Sequence, residues 1–247
     1  MLVAAAVCPC PPLLVPEVAA GAAPELDAAR TACSDALAVL AASRPDLLVV
    51  VGPGAAEEPE EYPAGTAGDF RGFGVDLDVR LGRGPGGARR LPASLAVGAW
   101  LLERAGRSHA PVEGLAVGER LPAARCAGAG REVAARAGRV ALLVLGDGSA
   151  CRTLKAPGYL DERAAGFDEV AARALGSADT AALAALDEHL AYELKAAGRA
   201  PWQVLAGAAE GAGLEGRLLY EDAPYGPRPD VSAATAGTVP GPVWNAW

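Results

Sequence analysis

Histidine is nearly missing from this chain: 247 residues contain two, His109 and His189. With so few imidazoles, a Ser-His-Asp triad or a histidine-rich metal centre is hard to assemble. Aromatic residues make up only 5% of the chain, which argues against platforms for stacking nucleic-acid bases. Basic residues (22) are outnumbered by acidic ones (30), so the net charge is −8 and phosphate backbones are repelled. No apolar run approaches the roughly 20 residues that span a bilayer. The initial stretch Leu2-Val3-Ala4-Ala5-Ala6-Val7 is short for a signal sequence and lacks a basic lead. These features predict a cytoplasmic protein whose partner is a small molecule, with neither nucleic acid nor membrane involved. Five cysteines at irregular spacing (Cys8, Cys10, Cys33, Cys126, Cys151) do not form a disulfide framework and are expected to be reduced.

What the chain does have is alternation. At 51% hydrophobic and 21% charged it is globular in composition. The run at 2–8, closed by Pro9, Pro11 and Pro12, reads as a buried strand. Leu47–Val51, stopped by Gly52-Pro53-Gly54, and Val140–Leu145, stopped by Gly146-Asp147-Gly148, read the same way. Continuous apolar runs of this kind suit parallel strands covered on both faces. Weaker strands are expected at 75–81, 111–117 and 214–220. Helical spacing or composition marks 24–43, 94–105, 122–137, 167–176, 179–197 and 201–212. Cys33 falls on the apolar face of the first of these and reads as core packing, and His189 as part of a solvated helix face. Gly82-Arg83-Gly84-Pro85-Gly86-Gly87 has the spacing of a dinucleotide fingerprint. Pro85 removes an amide donor and no helix follows at once, so it reads as a loop. The expected architecture is a single α/β domain over 1–226, with a mostly parallel central sheet and helices on both faces. The Pro-, Gly-, Ser- and Thr-rich stretch 227–247 reads as a disordered tail.

In an open α/β sheet, ligands bind beyond the carboxyl ends of the strands. If the main strands are parallel, Cys10, Asp147, Ser149, Cys151 and Glu221 or Asp222 share one rim, with Lys155 and Tyr159 on a covering loop. Each residue has two readings. Cys10 is a metal ligand or an inert thiol, Asp147 a site carboxylate or a turn cap, Glu221 a ligand or a turn carboxylate. Ser149 lacks the nucleophile-elbow context. Lys155 is one of only two lysines, and reads as a substrate contact or a solvated side chain.

The stretches 3–17, 46–54, 145–149 with 154–161, and 219–226 together resemble the class III extradiol ring-cleavage dioxygenase superfamily, subunit-B type, in particular its small actinobacterial members. The resemblance implies the α/β fold, a ferrous iron held by two histidines and a glutamate, and a further histidine as acid/base. In this sequence Cys10 stands where the family has the histidine of its Pro-His-Pro-Pro turn. The second strand ends Pro53-Gly54 in place of a ligand histidine, and Ser149-Ala150-Cys151 replaces the acid/base segment. Glu221 or Asp222 is the one counterpart of the carboxylate. The expected function is therefore a dioxygenase-like pseudoenzyme that binds a small metabolite or a partner in the ancestral cleft. The alternative is an oxidoreductase with an atypical metal site at Cys10 and Glu221, assisted by Asp147, Ser149, Lys155 and Tyr159, acting on a small aromatic or carbonyl substrate.

Overall fold

A computed structural model describes residues 1–106, 110–221 and 230–236, the last as backbone apart from Ser232, Ala233 and Ala234. The chain begins with β1 (Leu2–Cys8), a single turn of helix α1 (Pro16–Ala19) and α2 (Asp27–Ala42). Then come β2 (Leu47–Gly54), the short strands β3 (Glu60–Tyr62), β4 (Ala67–Asp69) and β5 (Asp78–Arg80), and α3 (Ala93–Arg104). β6 (Val112–Gly118), α4 (Ala123–Ala134) and β7 (Val140–Leu145) follow. Four helices, α5 (Arg163–Ser177), α6 (Thr180–Ala184), α7 (Glu188–Glu193) and α8 (Arg199–Ala208), lead to β8 (Leu214–Glu221) and β9 (Asp230–Ala236).

Seven strands form one sheet in the order β3-β6-β2-β7-β1-β9-β8, while β4 and β5 make a separate hairpin. β6, β2, β7 and β1 are mutually parallel. β3 is antiparallel to β6, and β9 runs antiparallel to both β1 and β8. β8 therefore points the same way as β1. This is the mostly parallel α/β domain that the apolar runs predict.

Those runs are apolar because both faces are covered. On one side, Ala4, Ala6, Cys8, Leu48, Val50, Leu143 and Leu145 pack with α2 and α3. On the other, Ala5, Val7, Val49, Val51, Leu142 and Val144 pack with α4, α5 and α8. The period-2 alternation of side chains along a strand assigns neighbours to opposite cores. Cys33 lies fully buried in the first core, as its helical position implies. His189 is exposed on α7, 3.2 Å from the Glu193 carboxylate one turn on. The segment 82–87 is a loop between β5 and α3. His109 lies outside the described residues.

The stretch read as a tail departs from that expectation. Residues 230–236 form β9, inserted between the first strand of the chain and β8. Along β9, Ser232 lies opposite Val7 on one side and Leu218 on the other. The carboxyl ends of β1 and β8 consequently lie on the same rim. Among the described residues, no helix is long and apolar enough to cross a membrane.

Candidate functional site

The rim at the carboxyl ends of the parallel strands holds two arrangements: a thiol–carboxylate pair and an open cavity. The pair joins the turns after β1 and β7. The Gly146 amide continues the strand ladder by donating to the Cys8 carbonyl at 3.1 Å. Gly146 has no room for a side chain, since a Cβ there would come within 2.4 Å of Gly198 Cα. The ladder bond to Cys8 puts Asp147 beside the β1 turn. Its Oδ1 accepts the Cys10 amide at 3.1 Å, and the Cys10 thiol donates to Oδ2 at 3.6 Å. Asp147 is thus a cap, but of a neighbouring turn rather than its own. Burial pushes its carboxyl up from 3.8 to about 6, against the lowering effect of the two hydrogen bonds from Cys10. Burial, followed by the Asp147 charge, also holds the Cys10 thiol well above the ordinary range.

Ser149 is fully buried and faces the helices instead. Its amide donates to Asp168 Oδ1 at 2.8 Å, and its hydroxyl donates to the Leu194 carbonyl at 3.3 Å while accepting the Cys151 amide at 3.0 Å. The Cys151 thiol donates to the carbonyls of Leu194 (3.4 Å) and Gly158 (3.5 Å). Both hydroxyl functions of Ser149 are occupied in bracing this loop against α5 and the end of α7. Asp168, buried on α5, also accepts from Arg152 at 3.3 Å. It lies on the apolar face that includes Ala164, Phe167, Ala171 and Leu175. An acid at a core position of a helical pattern is the sequence signal of this brace.

Lys155 and Tyr159 are not drawn into this arrangement. Both are exposed, and Tyr159, at φ +61°, turns out of the fold with 74% of its surface accessible. Glu221 ends β8 on the correct rim, opposite Asp230 of β9, with two strand spacings between β8 and β1. Asp222 lies outside the described residues.

A ferrous centre is a poor fit to these residues. Among the described residues no three His, Cys, Asp or Glu side chains converge in a way that could hold a metal ion. A cysteine ligand binds as thiolate, whereas the Cys10 thiol is held protonated by its surroundings and donates to Asp147.

The cavity, about 710 Å³, opens at the carboxyl ends of β2 and β6. This is within the size range of small-molecule sites. Its floor is the paired glycines Gly54 and Gly118. Gly118 is required here, since a Cβ would meet the Ala56 carbonyl oxygen at 2.2 Å. Its lining comprises the β6–α4 connection, Glu119 to Pro122, residues 55–58 and Tyr192 of α7. Arg120 lies over the Tyr192 ring, 4.0 Å from its centroid. Arg125 pairs with Glu58.

Behind this lining sits Arg199, with 1% of its surface accessible. Its Nη1 donates to the Leu121 carbonyl at 2.6 Å and to Gln203 Oε1 at 2.9 Å, and its Nη2 donates to the Glu119 carbonyl. Gln203 in turn donates to the carbonyls of Leu186 (3.0 Å) and Ala184 (3.2 Å) just ahead of α7. A buried Arg–Gln unit therefore ties together the two segments that carry Arg120 and Tyr192. Sequence reading missed it. The available signal was a basic residue opening an otherwise apolar helix, where the helix dipole disfavours positive charge.

No protein-family model and no curated protein matches the chain. Among solved structures, the crystal structure of an uncharacterized protein from Escherichia coli K12 is similar with a TM-score of 0.52 and 14% identity. The match covers 94% of this chain and 99% of that one. At this identity the likeness is one of fold alone, and it extends over essentially the whole α/β domain.

Proposed function

We propose that this chain is a dioxygenase-like pseudoenzyme that binds a small molecule at the carboxyl rim of its sheet without a working iron centre. The observation that carries the reading is the Cys10–Asp147 pair. Where the resemblance calls for a metal-binding imidazole, a protonated thiol is closed onto a neighbouring carboxylate. The same rim keeps a cavity of ligand size. The acidic charge balance fits a cytoplasmic protein with a small-molecule partner rather than a nucleic acid.

The experiment is anaerobic loading with ferrous iron, followed by metal analysis and oxygen uptake with catechols. The expected result is far less than one iron per chain and no uptake. One tightly held iron per chain, with ring opening that is lost in Glu221→Ala, would overturn the proposal and favour the atypical metalloenzyme. A carboxyl that burial pushes up to about 6 is the one feature that favours this second reading, because Asp147 would then serve as acid/base.

A further inference from the structure

The cavity at the ends of β2 and β6 carries a pattern of charge that the Cys10–Asp147 pair does not. Two of its charges cancel: Arg125 and Glu58 form an ion pair. Three remain. Among the described residues, Arg120 has no carboxylate within ion-pair distance, and its one close partner is the face of Tyr192. Among the described residues, Glu57 and Glu119, which line the same space, have no basic partner within ion-pair distance. Glu57 and Glu119 each directly follow a residue of the closest backbone approach, Ala56 against Gly118. Arg120, Glu57 and Glu119 therefore line a common volume together with Leu121, Pro122 and Tyr192.

The arrangement is built, not a chance meeting of surface side chains. Arg199 grips the carbonyls on both sides of Arg120, those of Glu119 and Leu121. Gln203 fixes the segment leading to Tyr192. The Glu188 carboxylate, on α7, accepts the first amide of α4, that of Ala123, at 2.5 Å. Walls held in this way lose little freedom when a ligand enters, which is how preorganisation raises affinity.

We infer that this cavity binds a basic α-amino acid: one carboxylate, an α-ammonium group, and a second cation at the end of an aliphatic chain. Resting on the pseudoenzyme reading, the inference names the ligand class and places it away from Cys10. The ligand carboxylate meets Arg120, whose stacking on Tyr192 leaves the guanidinium edge free for a bidentate contact. The two cationic groups meet Glu57 and Glu119, and the aliphatic chain lies on Leu121, Pro122 and the tyrosine ring. A simple organic anion would satisfy Arg120 but be repelled by two carboxylates. A diamine would satisfy the carboxylates but leave Arg120 unmatched. A neutral amino acid would leave one carboxylate unmatched.

The test is calorimetric titration of the full chain with L-lysine and L-arginine, with cadaverine, L-leucine and benzoate as comparison ligands. The expected result is that a basic amino acid binds at least tenfold more tightly than any of the three. Arg120→Gln should erase the preference for lysine over cadaverine. Glu57→Gln and Glu119→Gln should each weaken lysine by about tenfold, the scale of one lost charge-assisted contact. All three side chains are exposed, so unchanged thermal unfolding of the variants separates lost binding from lost folding. A preference for lysine over cadaverine that survives Arg120→Gln overturns the inference, as does absence of lysine and arginine binding into the millimolar range. In the latter case, an aromatic or carbonyl compound that binds the parent but not Asp147→Asn leaves the pseudoenzyme reading standing. A broad small-molecule panel with no binder refutes both.

Discussion

Replacing Asp147 by Asn should make the protein more stable at neutral pH, and the gain should vanish in acid. The sign follows from the direction of the shift. In the folded chain the carboxyl titrates at about 6, against an ordinary value of 3.8. The folded state therefore binds a proton that the unfolded state has already released. Between roughly pH 4 and pH 6, folding stability falls as pH rises, because the native carboxylate is forced to ionise in a poorly solvated place. At about 1.4 kcal/mol per pH unit, the full penalty at pH 7 is about 3 kcal/mol. Asp147 keeps part of its surface in solvent, which screens the charge, so about 1–2 kcal/mol is the expected net effect. Asn keeps an oxygen for the Cys10 amide and carries no charge. Urea unfolding of parent and variant from pH 4 to pH 8 reads the difference directly. With a slope of about 2–3 kcal/mol per molar, the variant midpoint should rise by roughly 0.3–1 M at pH 7 and coincide with the parent at pH 4. A difference that stays constant with pH, or an Asn variant weaker at pH 7, would refute the assignment of a buried, uphill carboxylate. A gain would also say that the acid is kept for something other than stability.

Three further outcomes follow from the same geometry. Arg199→Ala takes the guanidinium donors from the Glu119 carbonyl and the Gln203 amide oxygen and leaves the Leu121 carbonyl with the Cys126 thiol alone, a loss of about 3–5 kcal/mol. Thermal unfolding should show a fall on the order of 10 °C, and a shift of only a degree or two would mean that water replaces the guanidinium. All five cysteines are buried, and the Cys126 thiol is pushed up to about 11, mainly by its burial. A disulfide reagent should therefore label the native protein at least about tenfold more slowly than the urea-unfolded chain, and one fast equivalent before unfolding would contradict this. Gly118→Ala places a methyl group against the Ala56 carbonyl, and overpacking of that kind costs about 1–3 kcal/mol. It should also displace the residue 55–58 wall, which chemical-shift changes at Glu57 and Glu58 would report.

Sequence patterns revealed the doubly covered strands because their signal is local. Leu47–Val51 and Val140–Leu145 have apolar residues at every position, since each neighbour faces a different core. The shared rim was legible for the same reason, and the contact between Cys10 and Asp147 is its outcome. Residues 230–236 carried no such mark. Asp230-Val231-Ser232-Ala233-Ala234-Thr235-Ala236 is made largely of small residues, and it joins the sheet because β1 and β8 both offer it an unpaired edge. The helical stretch at 179–197 divides in two, with Asp179 and Asp187 each capping a separate short helix through its own carboxylate. The cavity was invisible for a deeper reason. Arg120 is far in the chain from Tyr192 and Arg199, and only the packing of α7 and α8 against the β6–α4 connection makes them neighbours. Lys155 and Tyr159 looked like cover for the rim, but the brace from Ser149 to Asp168 and Leu194 fixes the base of their loop against the helices.

The placement of β9 bears on how the chain is made. β1 pairs on one flank with β9, which lies far further along the chain, so that side of β1 stays unsatisfied until β9 has been made. An apolar strand held open for that long invites pairing with other nascent copies. A prematurely terminated chain that ends at β8 would retain nearly all of its helices yet expose this sticky flank, making aggregates rather than a smaller folded protein.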